Sequence, residues 1–335
     1  MFDQIISLDN LLYAWKEFKR GKTKKLDVQK FEFDLESNIY DLRYELKNKK
    51  YIHGQYTSFF VRDPKLRHIH KATVRDRVMH QALFRILYPI FDKRFIYDSY
   101  SCRMNKGTHR GMRQLANFVR KESNNYSKVA FALKCDIKKF FANIDQAILF
   151  KLISRHIDCK DTLWLVQSIV NSFAVSLGRG LPLGNVTSQL FANIYLNELD
   201  QFIKRKIGAR HYLRYCDDFI ILSDSRNYLQ DLIKYLDCFL NSRLNLRLHP
   251  NKISIRKLSY GIDFLGYIVK PHYSIIRTKT KKRVLKRINY QKERYLKGNI
   301  TEFSFCQIIE SYLGILQHCA GKKIARKIVQ AIRHR

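Results

Sequence analysis

Tyr215-Cys216-Asp217-Asp218 lies between Tyr212-Leu213-Arg214 and Phe219-Ile220-Ile221-Leu222, which puts two adjacent carboxylates at the tip of a predicted two-stranded hairpin. Neighbouring like charges in an apolar, β-rich run repel each other and lose hydration unless a cation neutralises them. A divalent metal is the simplest tenant. A third acid, Asp136, ends the apolar run Val129-Ala130-Phe131-Ala132-Leu133-Lys134-Cys135, the pattern by which a buried strand delivers a carboxylate to the edge of a sheet. The same residue could instead cap a following helix.

Periodicity indicates the elements that must hold these acids. A helix is predicted to start after Ser7 or Asp9, with Leu11, Leu12, Trp15 and Phe18 at helical spacing, and to stop at Gly21. A second should span Val28 to Leu46. Tyr51 to His70 reads as extended, with Phe59-Phe60-Val61 followed by the basic series Arg62, Lys65 and Arg67, and Thr73 to Leu87 reads as a helix. Gly178, Gly180 and Gly184 mark a loop, after which Thr187 or Ser188 is expected to cap a helix reaching Ile207 and ended by Gly208. Leu190, Phe191, Ile194, Tyr195, Leu199 and Ile203 form its buried stripe. Beyond the acidic hairpin come a helix from Asn227 to Ser242, the segment His249-Pro250-Asn251-Lys252, the aromatic run Gly261 to Tyr267 and a basic helical tail.

With 46% hydrophobic and 13% aromatic residues, the 335-residue chain is a folded protein with a large core, not a basic disordered tail. Lysines and arginines number 63 against 29 acids, a formal charge of +34 spread along the whole length, which suits a positively charged channel holding a polyanion. Seven scattered cysteines include no C-x-x-C pair, and no long apolar stretch occurs, so the expectation is a cytoplasmic protein with reduced thiols, no zinc module and no membrane span.

Taken in order, the segments resemble the seven blocks of reverse transcriptases over roughly residues 55 to 270. The blocks are Lys71-Ala72-Thr73-Val74-Arg75-Asp76-Arg77, Ser101-Cys102-Arg103-Met104-Asn105-Lys106-Gly107-Thr108-His109, Asp136-Ile137-Lys138-Lys139-Phe140-Phe141 and Leu183-Gly184-Asn185-Val186-Thr187-Ser188-Gln189. Tyr215-Cys216-Asp217-Asp218, Lys252 and Phe264-Leu265-Gly266-Tyr267 complete them. Most of that family has a glutamine where Leu183 stands and a proline where Gln189 stands. The form found here looks like the enzymes of diversity-generating retroelements, although some bacterial defence reverse transcriptases share parts of it.

The resemblance implies an α+β fold of the right-hand polymerase type, with fingers, a palm whose antiparallel sheet carries the acidic hairpin, and a helical thumb. The implied boundaries are an N-terminal helical extension over 1–55, fingers over 56–128, a palm over 129–270 with interleaved fingers elements at 145–180, and a basic thumb over 271–335. It implies RNA-directed DNA synthesis with dNTP substrates and two Mg²⁺ ions, Mn²⁺ being an alternative, about 3.5–4 Å apart. Asp136 and Asp217 would bridge the ions, Asp218 would support the first, and the Ile137 carbonyl would add an oxygen ligand. Arg67, with Lys65 or Arg62 beside it, would clasp the triphosphate, and Lys252 would act on the leaving pyrophosphate. Phe141 would exclude a 2′-hydroxyl. Leu183, Gly184 and Gln189 would border the nascent pair, with Leu183 removing a hydrogen-bonding amide and so implying error-prone copying of template adenines.

The implied partners are a structured template RNA, the RNA/cDNA duplex and a small basic accessory protein, oligomeric or not, in a bacterial or phage-encoded system. Too little chain follows Tyr267 for a ribonuclease H domain. Two other readings stay open: a defence reverse transcriptase working with a noncoding RNA, and a polymerase-like scaffold that binds RNA without catalysis. Retention of Asp136, Asp217 and Asp218 argues against the scaffold.

Overall fold

The structure, a computed structural model, describes residues 1–62 and 65–333. Its centre is a four-stranded antiparallel sheet of order β4-β5-β3-β6, in which β3 is Phe131–Asp136, β4 Tyr212–Tyr215, β5 Asp218–Ser223 and β6 Ser254–Lys257. Because β3 and β5 are buried on both faces, they read as near-continuous apolar runs rather than alternating ones. Before this sheet in the chain lies a separate hairpin of β1 (Thr57–Arg62) and β2 (Leu66–Lys71). After it comes a small sheet of β7 (Ile262–Phe264), β8 (Tyr267–Val269) and β9 (Ser274–Ile276). This mixture of helices with mainly antiparallel sheets is the expected α+β class.

One large core joins the N-terminal helices, the Val74–Asp92 and Val186–Gln201 helices and one face of the central sheet. A second packs the Thr108–Glu122 helix against the other face and the β7-β8 hairpin, through Leu115, Phe118, Leu213, Ile220 and Phe264. A third ties together the helices Thr278–Leu296, Glu302–Gln317 and Lys322–Arg333. Among the described residues no helix is long and apolar enough to cross a membrane.

Several sequence expectations need correction. The helix expected over Val28 to Leu46 is two, Leu26–Phe33 and Leu35–Lys47, because Asp34 leaves helical geometry at φ −110°, ψ 41°. The helix expected to be capped by Thr187 or Ser188 starts earlier, with Asn185 at the cap position and making no side-chain capping bond. Thr187 instead places its hydroxyl 2.6 Å from His80 Nδ1, inside a buried network. That helix is α-helical only to Gln201 and then continues as a π-helical turn, Phe202–Lys206, before Gly208 at φ +72°. It is buried almost all round rather than along one stripe, since Ala192, Asn193 and Leu196 are also covered. Two residues of the basic tail, 334 and 335, lie outside the described residues.

Candidate active site

The strand register gathers the acids. Asp136 ends β3 directly opposite Asp218, the first residue of β5. Cys216 and Asp217 form the turn between β4 and β5, with Tyr215 paired to Asp218 and Cys216 in the left-handed region at φ +57°. The Ile137 N–H donates to the Asp217 carbonyl at 3.2 Å, which pins this turn to the end of β3. Like charges directly opposite one another destabilise a sheet, so the repulsion expected between chain neighbours is extended across strands.

The ionisation behaviour follows. Burial, with added repulsion from Asp136 and Asp217, pushes the Asp218 carboxyl up to about 6 despite the opposing charge of Lys134. Burial and the Asp136 charge raise Asp217 as well. Burial also raises the Cys216 thiol, which keeps it neutral filler beside the acids. Two lysines partly balance the cluster: Lys252 Nζ lies 2.6 Å from Asp136 Oδ1, and Lys134 Nζ lies 3.3 Å from Asp218 Oδ2. The other Asp218 oxygen is buried with no hydrogen-bond partner.

Among the described residues no three His, Cys, Asp or Glu side chains stand as a ready-made metal cage; Asp136 and Asp218 are each turned toward a lysine. The donor set nonetheless fits a hard divalent cation. It offers carboxylate oxygens, one of them orphaned, in a cluster whose mutual repulsion a cation would relieve.

Asp136, Asp218 and the two lysines open onto a cleft of 370 Å³ that they share with Lys65, Arg256, Asp263 and Arg277; Asp217, in the turn, does not line it. Lys65, at the turn end of the β1-β2 hairpin, therefore shares the cleft with the acids. Arg67 sits exposed in β2 opposite Val61, and Arg62 opposite Leu66; neither lines the cleft. Leu183 and Gly184 lie against the hairpin: the His70 N–H donates to the Leu183 carbonyl at 3.0 Å. Gly184 has φ +119°, and a Cβ there would meet Ile69 Cγ2 at 3.1 Å, so the close approach favours glycine. Phe141 packs on Phe140 and accepts the Leu181 N–H at its carbonyl, which ties it to the stretch of chain two residues before Leu183. Gln189 is exposed on the Val186–Gln201 helix.

Sequence reasoning missed the groups that hold this arrangement. Lys134 could have been found, since a residue two before Asp136 on a strand faces the same side. Arg214 could not. It is fully buried, with Nε and Nη2 at 2.8 and 2.6 Å from the two Asp200 oxygens, and it donates from Nη1 to the Cys216 carbonyl at 3.1 Å. The Tyr212 hydroxyl shares Asp200 at 2.6 Å. This ion pair clamps the acidic turn from beneath. Arg277, whose guanidinium reaches the Asp263 carboxylate across the cleft wall, was likewise not anticipated.

Residues 61–269, more than half of the chain, match the family model for reverse transcriptase (RNA-dependent DNA polymerase). The chain belongs to the reverse transcriptase family. The α+β architecture around the acidic hairpin is accordingly that of a right-hand polymerase, and the enzyme is an RNA-directed DNA polymerase by family. This reverse transcriptase is 23% identical over 279 residues to protein YkfC of Escherichia coli K12, covering 71% of each chain. It is 23% identical over 304 residues to the group II intron-encoded protein LtrA of Lactococcus lactis, covering 70% of this chain and 48% of LtrA. To the retron Ec73 reverse transcriptase of Escherichia coli it is 32% identical over 157 residues, 43% of this chain and 47% of that one. It thus spans about seven-tenths of YkfC and less than half of LtrA.

Proposed function

We propose that this reverse transcriptase copies a structured template RNA into cDNA, with two divalent cations, Mg²⁺ by preference, held by Asp136, Asp217, Asp218 and the Ile137 carbonyl. The observation that carries the reading is the register pair Asp136–Asp218, closed by the Cys216-Asp217 turn and carrying one orphaned carboxylate oxygen. When bound, the cations would activate the primer hydroxyl and neutralise the triphosphate. Lys65 and Lys252 line the same cleft and would take triphosphate and pyrophosphate charge. Phe141 would exclude a 2′-hydroxyl, while Leu183 and Gly184 would border the nascent pair. The fingers, palm and thumb divisions at 56–128, 129–270 and 271–335 belong to the same reading.

The finer reading is a diversity-generating retroelement enzyme, error-prone at template adenines and working with a small basic accessory protein. Leu183-Gly184-Asn185-Val186-Thr187-Ser188-Gln189 supports it. A second reading, drawn from the same sequence block, is a defence enzyme whose template is a bound noncoding RNA. Asp136→Asn and Asp217→Asn each test the shared part: primer extension with Mg²⁺ should fall below about a tenth of wild type while RNA binding persists, because carboxylates hold metal and the basic channel holds RNA. Retained extension in either variant would remove that acid from the site.

A further inference from the structure

A second concavity lies apart from the catalytic cleft and shares no lining residue with it. It is a groove of 720 Å³ walled by the Thr108–Glu122 helix, the turn between β8 and β9, and the end of the Glu302–Gln317 helix. The Ala320 N–H donates to the Ser274 carbonyl at 2.7 Å and fixes two of these walls to each other.

Its chemistry differs from that of the catalytic cleft. The described residues lining it include Arg113, Arg120 and Lys270 and no aspartate or glutamate. Arg113 and Arg120 are exposed and stand seven residues apart on one helix, about 10 Å along its axis, far enough to contact separate phosphates. Three rings share the groove with these cations: Tyr126 packs on His272 at 4.6 Å between centroids, and Tyr273 is 54% exposed.

The backbone supplies a second observation. Asn124, Asn125 and Tyr126 run consecutively at φ +46°, +55° and +70°, and His272 on the facing turn has φ +67°. Such conformations cost free energy for residues with side chains, most of all for bulky ones, and persist where the surrounding structure imposes them. Here they present two rings to one groove. Cations beside rings, with His272 and Tyr273 exposed, Tyr126 half-buried and no carboxylate, match single-stranded nucleic acid, whose phosphates need positive charge and whose unpaired bases need flat partners.

We propose that this groove is a second nucleic-acid site, which takes an unpaired RNA segment outside the primer–template duplex. Its phosphates lie on Arg113, Arg120 and Lys270 and its bases stack on Tyr126, His272 and Tyr273. The site anchors RNA and takes no part in nucleotidyl transfer, so it stands or falls independently of the metal assignment.

The test uses the full-length protein and two fluorescent probes: a short RNA/DNA primer–template duplex, and the same duplex carrying a single-stranded RNA tail of about twenty nucleotides. Arg113→Ser with Arg120→Ser should weaken binding of the tailed probe roughly ten-fold and lower its log–log salt slope by about 1.4, two contacts at the single-strand value. Binding and extension of the untailed duplex should stay unchanged. Tyr126→Leu with Tyr273→Leu should weaken the tailed probe without altering the slope. Thiouridines in the tail should crosslink to the 113–126 and 270–273 peptides. Equal weakening of both probes would mean a general charge effect and would overturn the proposal, as would crosslinks confined to the catalytic cleft. Equal weakening with a DNA tail would overturn the assignment to RNA. Unchanged RNA binding, with an acidic peptide bound by wild type and lost in the arginine variant, would replace RNA by a protein partner.

Discussion

Replacing Asp218 by asparagine should make the metal-free protein more stable, although it removes a carboxylate from the proposed catalytic set. In the folded chain Asp218 titrates at about 6, against 3.8 for an unburied carboxylate, so folding disfavours its ionised form. The folded state therefore carries the full cost above about pH 7; the cost shrinks as pH falls through about 6 and vanishes only below about pH 3, where the group is protonated in both states. A carboxyl raised from 3.8 to about 6 corresponds to about 3 kcal/mol at pH 8 and about half that at pH 5. The asparagine side chain would keep the shape without the charge. Lys134, which loses its ion pair, still donates to the Asp263 carbonyl at 3.0 Å. At roughly 2 °C per kcal/mol for a chain of this size, Asp218→Asn should raise the melting temperature by about 5 °C at pH 8 in EDTA and by about half as much at pH 5. Adding Mg²⁺ should narrow the gap, because a cation relieves the same repulsion in the wild type. Thermal melts of both proteins at both pH values, with and without Mg²⁺, measure all three. A variant that melts below wild type at pH 8 without metal, or a gap that is the same at both pH values, would refute the argument from charge burial.

Arg214→Met should destabilise the protein by about 3–5 kcal/mol, since it leaves Asp200 buried without its partner; chemical denaturation measures this, and a loss under about 1 kcal/mol would show that the clamp is dispensable. Lys65→Ala should raise the KM for nucleotide several-fold more than Arg67→Ala, because only Lys65 shares the cleft with Asp136 and Lys252; steady-state kinetics giving the reverse order would mean that the hairpin rearranges on binding. Leu183→Gln should lower misincorporation opposite template adenine by about ten-fold, within the roughly 1–3 kcal/mol that a restored polar contact supplies. Deep sequencing of cDNA from one defined RNA reads that ratio, and equal adenine errors would place any infidelity elsewhere.

The sequence alone determined the chemistry and its order along the chain. An acid at the end of an apolar run, a second pair at a hairpin tip and a lysine after a proline turn are local signals, set by strand burial and turn chemistry within a few residues, and the helix start at Ser7 was legible because its capping bond spans three residues. Whatever depended on partners far along the chain was decided by tertiary structure. Register set Asp136 opposite Asp218, so the repulsion is between strands as well as within one. The Leu183 carbonyl bonded to His70 joined a loop and a hairpin over a hundred residues apart in sequence, and the buried His80 drew Thr187 out of a capping role. Arg214 reads from the sequence as one more cation in a chain of +34, and only burial against Asp200 makes it a clamp under the acidic turn. Charge and pattern are properties of the chain, but which cation neutralises which acid depends on distances that exist only once the strands have paired.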